Sequence, residues 1–474
     1  MREVITVLGA GLAGSEAAWQ CAQAGYPVRL IDMKPGKLSP AHHLQDFAEL
    51  VCSNSLRSFK LDTASGVLKM ELEHFHSLIL DCAMKCSVPA GNALAVDREA
   101  FPAEVSKRLR EHPLIEVVEE EVKNLKDLGD GWRIIATGPL TEGPLFASIQ
   151  EFTGENNLYF FDAAAPLVEF DSINQKIAFF SSRYQEEGDY LNCPFTQEEY
   201  LQFYEALMQS EKVDVKGFEK KLLFTGCQPV EALAEEGVDT LRFGPLKPVG
   251  LVDPRTGQQP YAVVQLRKDN FTGSLWNMVG FQTRLKFPEQ ERVFRLIPGL
   301  ENARFARFGV MHRNSFICSP KLLEGLFRSQ KDPKLFFAGQ MTGVEGYLES
   351  TASGLAAAYQ LLKDMGHELD LTPFYGRQTL ISSLAAFASE SNAESFQPMK
   401  ANFSLLAPMT REESKALRKK YQIFGRGRSV KRLLYGLRSA ELIGYPSEKL
   451  VKKLKDLAYR ISHLDSVSEK KGQE

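Results

Sequence analysis

A glycine-rich turn near the start of the chain constrains the fold more than any other feature. Residues 3–8 are predicted to form a short buried strand, residues 15–24 an alanine-rich helix, and residues 28–31 a second strand that ends at Asp32. The turn joins the first strand to the helix and consists of Gly9, Ala10, Gly11, Leu12, Ala13 and Gly14. This order of elements is typical of a Rossmann-like dinucleotide-binding domain.

The spacing of the three glycines fits a phosphate-binding turn. Gly9 permits the tight turn, Gly11 lets the backbone approach a pyrophosphate, and Gly14 allows the helix to pack closely on the strand. The N-terminus of the helix offers free N–H groups and the positive end of its dipole to the phosphates. Asp32 lies where a carboxylate binds the ribose hydroxyls. The sequence therefore predicts a dinucleotide site formed by residues 9–14 and Asp32.

Two further segments indicate which dinucleotide binds. Residues 137–138 in IIATGPLT resemble a turn of flavoproteins that bind two dinucleotides. Residues 335–354, LFFAGQMTGVEGYLESTASG, resemble the C-terminal flavin segment of the same class, in which a helix N-terminus faces the flavin ring. Gly339, Gly343 and Gly346 let the backbone reach that ring. The two segments favour FAD as the bound cofactor.

The rest of the chain divides into parts of different character. Residues 171–314 are rich in aromatic, proline and charged residues and contain short strand-like pieces. We predict an α/β fold in which residues 1–170 and 315–410 form a Rossmann-like FAD-binding domain and residues 171–314 form an inserted α+β domain. Residues 411–474 are predicted to form a basic helical C-terminal extension.

Composition and the first residues bear on the location of the protein. No run of about eighteen apolar residues is present, so no membrane span is expected. The first residues lack the basic-then-apolar pattern of a signal segment. The seven cysteines are an odd number scattered through a long chain, which argues for reduced thiols rather than a disulfide framework. We therefore expect a cytoplasmic protein.

Two cysteines differ from the others in their surroundings. Cys52 lies in LVCSNSLRS and Cys227 in FTGCQPVEA, and neither occupies a repeating apolar position. A thiol next to glycine and polar residues suits nucleophilic work. Cys82 and Cys86 would share a helix face, but no histidine cluster accompanies them, so core thiols are a better interpretation than a metal site. Cys52 and Cys227 are the catalytic candidates.

Longer stretches of the sequence resemble one protein family. They include GAGLAGSEAAWQ (9–20), FAELVCSNSLR (47–57), VPAGNALAVDRE (88–99), GCQPVE (226–231), DTLRFGPLKPVGLVDPRTG (239–257), PYAVVQLR (260–267), IPGLENARFARFGVMHRN (297–314) and FAGQMTGVEGYLESTASG (337–354). With them the chain resembles, up to about residue 410, the folate- and FAD-dependent tRNA (uracil-5-)-methyltransferases, the TrmFO family among the flavoproteins related to glucose-inhibited division protein. Thr225 departs from the pattern, since a glutamate is usual before the GC pair.

The resemblance implies an activity. It implies transfer of a one-carbon unit from 5,10-methylenetetrahydrofolate to C5 of a uridine in the tRNA T-loop, with FAD as cofactor and NAD(P)H as reductant. Carbon 5 of uracil is a poor nucleophile, and a thiolate that adds at C6 converts it into an enolate. Cys52 and Cys227 match the two functional thiols of the family. Which of them attacks C6 stays open; we favour Cys52 as the nucleophile or methylene-side thiol, with Cys227 as its activating partner.

A basic segment is the main candidate for contact with the tRNA. Residues 411–438 contain ten lysines and arginines but only two acids. Such a segment is either an electrostatic footprint for phosphates or a solvated helical face. Lys247, His312 and Arg313 are further candidates, for which a surface-loop charge and a structural histidine are the alternatives.

Three other functions are compatible with the residues. One is modification of the tRNA wobble uridine, although the sister family that performs it lacks the CSNS and GC-x-P stretches. The others are a flavin oxidoreductase acting on a small substrate beneath the inserted domain, and a flavin-containing RNA-binding protein without catalysis. The extent of the matching stretches favours the methyltransferase.

Overall fold

The structure is a computed structural model. It describes residues 2–39, 41–154, 158–184, 188–213, 228–425, 427–451 and 453–454, and for residues 158–163 and 311–313 it describes the backbone alone. The α-helices are α1 (Leu12–Gln23), α2 (Ala64–His74), α3 (Leu78–Lys85), α4 (Ala100–Arg110), α5 (Gly143–Thr153), α6 (Gln197–Met208), α7 (Val230–Ala234), α8 (Thr240–Phe243), α9 (Phe287–Phe294), α10 (Ser319–Leu322), α11 (Tyr347–Asp364), α12 (Leu380–Glu390), α13 (Arg411–Tyr421) and α14 (Arg428–Ile443). Within the described residues, no helix is both long and apolar enough to cross a lipid bilayer.

The strands form four sheets. They are β1 (Ile5–Leu8), β2 (Val28–Asp32), β3 (Ser55–Ser58), β4 (Ser87–Val88), β5 (Ala93–Val96), β6 (Ile115–Glu119), β7 (Arg133–Ile135), β8 (Leu158–Ala163), β9 (Leu167–Glu169), β10 (Phe179–Phe180), β11 (Tyr190–Phe195), β12 (Ala262–Lys268), β13 (Leu275–Met278), β14 (Phe305–Arg307), β15 (Met311–Phe316), β16 (Leu323–Glu324), β17 (Arg328–Ser329) and β18 (Leu335–Phe337). The sheets described have seven, six, three and two strands.

The seven-stranded sheet has a parallel centre. Its strand order is β16-β17-β18-β7-β1-β2-β6, and the five strands from β18 to β6 run parallel to one another. The side chains of Ile5, Val7, Ile134 and Phe336 in these strands are fully buried. Short apolar strands of this kind are expected where helices cover both faces of a parallel sheet. The sheet confirms the predicted α/β, Rossmann-like fold class.

Helices α1 and α11 pack closely because their contact surface is made of small residues. A Cβ atom at Gly354 of α11 would overlap with the carbonyl oxygen of Ala13 in α1. Helix α1 begins at Leu12, three residues before its predicted start, because Gly11 is the N-cap and the glycine turn itself forms the first helical turn. Helix α11 begins at Tyr347, directly after Gly346.

The six-stranded sheet is antiparallel and has its own core. Its strand order is β10-β11-β12-β13-β9-β14, so it uses residues from Leu167 to Arg307. Large aromatic side chains fill the core beneath it, among them Phe203, Phe281 and Phe294. Most of this sheet lies in the segment predicted as an inserted α+β domain. The predicted boundaries of that domain, at residues 171 and 314, stay predictions.

The C-terminal helix α14 packs against α2. The Ser439 hydroxyl donates a hydrogen bond of 2.6 Å to the buried carboxylate of Glu71, and the same carboxylate accepts from the backbone N–H groups of Leu380 and Ile381 at the start of α12. Leu437 on the same face of α14 is fully buried. Three helices therefore meet at one carboxylate, and the C-terminal part of the chain is joined to the nucleotide-binding part.

Candidate active site

A Cβ atom would fit at one of the three glycines of the first turn and would clash at the other two. Gly9 has a φ of +97°, and a Cβ atom there would lie 2.5 Å from the carbonyl oxygen of Ala136. A Cβ atom at Gly14 would overlap with the carbonyl oxygen of Gly9, whereas one at Gly11 would meet no atom within 4 Å. The packing that requires Gly9 and Gly14 is thus internal to the fold. The open side at Gly11 is where a phosphate can approach the backbone.

Asp32 is held against this turn. Its Oδ2 atom accepts a 2.6 Å hydrogen bond from the backbone N–H of Ala10, and its Oδ1 atom accepts from the N–H of Lys34 at 2.9 Å. No side chain caps the first turn of α1, so N–H groups at this helix end are available to an anion. The turn, the helix end and the carboxylate together fit a dinucleotide. A contact between Asp32 and ribose stays a prediction.

The second glycine segment lies against the first. Gly339, Gly343 and Gly346 have φ values of +83°, +81° and +120°, which disfavour any other residue. A Cβ atom at Gly339 would lie 3.2 Å from that of Ala13, so the turn after β18 sits on the first glycine turn. A Cβ atom at Gly343 would overlap with the ring of Phe396. The fold thus joins the two segments that the sequence separates most widely.

Cys52 lies beside the start of α11. The backbone N–H groups of Cys52 and Ser53 donate to the Tyr347 hydroxyl at 2.9 and 3.1 Å. Tyr347 is the first residue of α11 and directly follows Gly346. Burial raises the pKa of Tyr347 well above its usual value, and a side-chain hydrogen bond with Cys52 adds to this effect. The hydroxyl therefore keeps its proton and holds the half-buried thiol next to the second glycine segment.

The six-stranded sheet holds the same loop from its other side. Arg267 of β12 donates to Asn54 Oδ1 from Nε at 3.0 Å and from Nη2 at 2.8 Å, and its Nη2 also reaches Ser53 Oγ at 2.9 Å. Arg98 forms a two-bond ion pair with the buried carboxylate of Asp269, at 2.8 and 3.1 Å. The loop that carries Cys52 is thus held by Tyr347 of α11 on one side and by Arg267 of the six-stranded sheet on the other.

Several predicted residues fall outside what the structure describes. Cys227 and Thr225 lie outside the described residues, so the predicted pairing of Cys227 with Cys52 stays a prediction. The backbone of His312 and Arg313 pairs with β8 within β15, and their side chains are not described. Lys247 is exposed. It follows Phe243, whose ring is 81% exposed.

The remaining described cysteines are core residues. Those buried are Cys21, Cys82, Cys86, Cys193 and Cys318. Burial raises the pKa of Cys82 to about 12, which suppresses its thiolate at neutral pH. Cys82 and Cys86 are buried in the apolar core, as the sequence predicted. Cys52 differs from all of these in being half-buried.

The basic C-terminal segment is mostly solvated, with one exception. Its exposed cations are Arg411, Lys415, Lys419, Lys420, Arg428, Lys431 and Arg432. Arg438 is buried, and its Nε and Nη2 atoms donate to no residue in the described part of the chain. The prediction that includes Arg438 in a surface footprint is therefore wrong for that residue, because α14 turns it inward.

Residue patterns alone miss most of the groups around Cys52. Arg267 is the charged end of an apolar strand, PYAVVQLR, which is the clearest available signal of a buried ion. Tyr347 carries the weaker signal that it follows the last glycine of a turn. Arg98 and Asp269 carry no such signal, since each finds its partner on a distant element.

The fold and the site define a Rossmann-type dinucleotide-binding protein with a thiol loop between its nucleotide-binding sheet and a second, antiparallel sheet. The sequence pattern of one family, described as glucose inhibited division protein A, matches residues 4–368. Curated relatives of the chain are named methylenetetrahydrofolate--tRNA-(uracil-5-)-methyltransferase TrmFO, among them proteins of Desulfitobacterium hafniense and Brevibacillus brevis. The protein of Desulfitobacterium hafniense (strain Y51) is 55% identical over 406 residues, which cover 85% of this chain and 92% of the relative. That of Brevibacillus brevis is 56% identical over 407 residues, which cover 85% and 91%. The chain belongs to the glucose inhibited division protein A family and to the TrmFO family that these relatives represent.

A solved structure agrees with the fold. The form I crystal structure of Aquifex aeolicus GidA superposes with a TM-score of 0.63 at 14% identity, over 98% of this chain and 80% of that one. At this identity the likeness extends to the fold alone.

Proposed function

We propose that this chain is a methylenetetrahydrofolate- and FAD-dependent tRNA (uracil-5-)-methyltransferase that methylates a T-loop uridine and uses NAD(P)H as reductant. The observation that carries the proposal is the hydrogen bonding of the Cys52 backbone to Tyr347, the first residue after the second glycine segment. It holds a candidate nucleophile beside the segment expected to face a flavin ring. The names of the relatives support the same activity. A tRNA substrate and reduced cysteines agree with a cytoplasmic location.

The two glycine segments would hold the FAD. Residues 9–14 and Asp32 would take its pyrophosphate and ribose, because Gly11 leaves the backbone open and the end of α1 offers unpaired N–H groups. Gly339, Gly343 and Gly346 would face the flavin ring. When bound, FAD supplies the electrons that complete the transferred methyl group.

Cys52 would act on the pyrimidine. Its thiolate adds to C6 of the uracil, a C–S bond forms, and the electron pair of the C5–C6 double bond makes C5 nucleophilic towards the folate methylene. The methylene carbon would bond to C5 as its bonds to the folate nitrogens break, so that tetrahydrofolate leaves. Loss of the C5 proton to a base, a hydride equivalent that FAD would supply when bound, and departure of the sulfur would then complete the methyl group and restore the double bond. Cys227, in the predicted inserted domain, would activate this step. Tyr347 would keep the Cys52 backbone in place throughout.

The tRNA would bind along α13 and α14. Seven exposed lysines and arginines line these helices, and Phe424 in the connection between them is 85% exposed. Exposed cations bind phosphates, and an exposed aromatic ring among them can stack on an unpaired base, as single-stranded RNA regions are commonly recognised. Lys420 pairs with Glu441 at 2.7 Å, so part of the charge is used within the protein.

The test uses tRNA from cells that lack ribothymidine. Protein, NADPH and methylene-labelled methylenetetrahydrofolate are incubated with this tRNA, which is then digested to nucleosides. We expect labelled 5-methyluridine, dependent on the folate and absent with Cys52→Ala. Cys86→Ala is the matched control, because Cys86 is a buried core thiol.

Other outcomes would contradict the proposal. Methylation supported by S-adenosylmethionine instead of the folate would exclude it. Label at the wobble position would point to the sister activity. Turnover of a small substrate without RNA would favour an ordinary flavin oxidoreductase, and RNA binding without any turnover would favour a non-catalytic role.

A further inference from the structure

The hydroxyl group of Ser53, the residue after the candidate nucleophile Cys52, is fully used as a hydrogen-bond acceptor. Its Oγ atom accepts a 2.9 Å hydrogen bond from Nη2 of Arg267 and a 3.2 Å hydrogen bond from the backbone N–H of Ser55. A serine hydroxyl has two acceptor lone pairs and one hydrogen to donate. Both lone pairs of Ser53 are therefore occupied, and donation is the capacity that it retains.

The hydrogen of this hydroxyl is available to an incoming molecule. Ser53 Oγ donates to no residue in the part of the chain that the structure describes. Arg267 cannot accept it, because a guanidinium has donors only, and two hydrogen bonds to Asn54 Oδ1, at 3.0 and 2.8 Å, hold the buried arginine in place. Ser53 is half-buried, so its hydroxyl can be reached from the open side of the loop.

The backbone curves at Cys52 and Ser53. Their two N–H groups donate to the same atom, the Tyr347 hydroxyl oxygen. Successive N–H groups converge on one atom where the chain forms a concave turn, whereas in an extended strand successive residues point to opposite faces. The alternation of a strand therefore does not separate the thiol of Cys52 from the hydroxyl of Ser53.

The proposed reaction supplies an acceptor for this hydrogen. When a thiolate adds to C6 of uracil, the electron pair of the C5–C6 double bond shifts towards the conjugated C4 carbonyl, and negative charge develops on O4. A fixed donor aimed at an oxygen that gains charge stabilises the transition state more than the bound substrate. Arg267 makes Ser53 a better donor, because hydrogen bonds in a chain polarise one another.

We propose that Ser53 is a catalytic residue that donates its hydroxyl hydrogen to O4 of the target uracil while Cys52 adds to C6. The C–S bond forms, the C5–C6 electron pair becomes an enolate, and the proton stays on Ser53. When C5 attacks the folate methylene, the charge leaves O4 and this hydrogen bond weakens. Cytosine carries an amino donor in place of O4, so the same hydroxyl favours uracil. The proposal rests on the proposed function, which brings the uracil to Cys52.

The experiment compares two RNA hairpins in single-turnover methyl transfer by the full-length flavoprotein. Both have the sequence of the tRNA T-arm, one with uridine at the target position and the other with 4-thiouridine, whose sulfur is a weaker acceptor than O4. We expect the wild-type protein to methylate the uridine hairpin faster. Ser53→Ala should slow the uridine hairpin about 100-fold and the 4-thiouridine hairpin much less, so that the ratio of the two rates falls towards one. Ser53→Thr, which keeps the hydroxyl, should restore most of the rate and the ratio.

Two controls separate this role from a structural one. Ser55→Ala is the matched variant, because Ser55 lies in the same segment and its Oγ accepts from the N–H of Arg57 at 3.1 Å. It should leave the ratio of the two rates unchanged. A hairpin with 2-thiouridine, altered at the other carbonyl, should be affected equally in the wild-type protein and in Ser53→Ala. Ser53→Ala keeps the contacts of Arg267 with Asn54, and its FAD absorbance reports whether it is folded. Should it lose its FAD, Ser53→Gly is used for the same comparison.

The contrary results are also defined. If the Oγ atom of Ser53 serves only to fix the turn, Ser53→Ala slows both hairpins by the same factor, and that result would overturn the proposal. Full activity of Ser53→Ala on the uridine hairpin would overturn it as well. Absence of product from the wild-type protein would overturn the proposed function and this role with it, whereas product with an unaltered ratio in Ser53→Ala would overturn this role alone.

Discussion

The Tyr347 hydroxyl accepts a 2.9 Å hydrogen bond from the backbone N–H of Cys52, across 295 residues of sequence. Tyr347 begins the helix that follows the second glycine segment, and Cys52 belongs to a loop held by Arg98 and Arg267. One hydroxyl therefore links the candidate nucleophile to the candidate flavin site. Rigid support of this kind is what a nucleophile needs if it is to meet a bound base in one geometry.

Tyr347→Phe removes that link without removing the ring. Two backbone N–H groups lose their acceptor, so we expect a loss of about 1–3 kcal/mol in the free energy of unfolding. We also expect methyl transfer to slow at least tenfold, by about the factor that small misplacements of catalytic groups cost. Urea unfolding and single-turnover labelling measure the two effects. Tyr359→Phe on the same helix is the control, and an equal effect of both substitutions would contradict the assignment.

Gly11→Ala and Gly14→Ala should separate binding from folding. A Cβ atom at Gly11 meets no protein atom within 4 Å, so this variant should fold normally and lose FAD to dialysis, because the methyl group occupies the approach of the phosphate. A Cβ atom at Gly14 overlaps with the backbone of Gly9. Gly14→Ala should therefore be destabilised by about 1–3 kcal/mol. Full retention of FAD by a folded Gly11→Ala protein would argue against the proposed phosphate position.

Glu71 should make stability fall as pH rises. Burial raises its pKa from 4.5 to about 7, and the hydrogen bonds from Ser439, Leu380 and Ile381 oppose this only in part. The folded state therefore binds the proton more tightly than the unfolded state. The contribution of protonated Glu71 to the free energy of unfolding is complete below pH 4.5 and is lost as the pH rises to about 7. This loss amounts to about 3 kcal/mol. Glu71→Gln should flatten this part of the pH profile in urea unfolding.

Glu73, two residues along the same helix, is the control with the opposite sign. Burial raises its pKa, but Lys453, Lys449 and Tyr445 outweigh burial and lower it overall. The contribution of ionised Glu73 to the free energy of unfolding is present above its usual pKa and is lost as the pH falls through its lowered pKa. Glu73→Gln should flatten the acid side of the profile. A common response of both variants would show that neither slope comes from the assigned carboxyl.

Phe424→Ala should weaken tRNA binding. Loss of one stacked base costs about 1–3 kcal/mol, which corresponds to a dissociation constant raised about five- to 150-fold. Fluorescence anisotropy at fixed salt measures it. Phe180→Ala, an exposed aromatic of the six-stranded sheet, is the control. Point substitutions are preferable to truncation here, since removal of α14 would expose Glu71 and the core around Leu437.

The nucleotide-binding part of the fold could be predicted because its signals are local. Gly9, Gly11 and Gly14 mark a strand, a turn and a helix that follow one another directly in the sequence, and apolar runs identify β1 and β2 as buried strands. Helix α1 begins three residues before its predicted start, because the turn residues themselves enter it, and β1 begins two residues after its predicted start. Cys52 was identified from its polar neighbours, which are also local.

The sequence by itself therefore determined the Rossmann-like turn, the second glycine segment and the candidate thiol Cys52. Only the tertiary structure decided that Tyr347 holds the Cys52 backbone, that Arg438 points inward, and that Arg98 and Arg267 hold the loop that carries Cys52. The physical reason is that a glycine turn depends on the torsion angles and Cβ space of neighbouring residues. The charge balance around a thiol depends on which distant strands and helices the fold brings together.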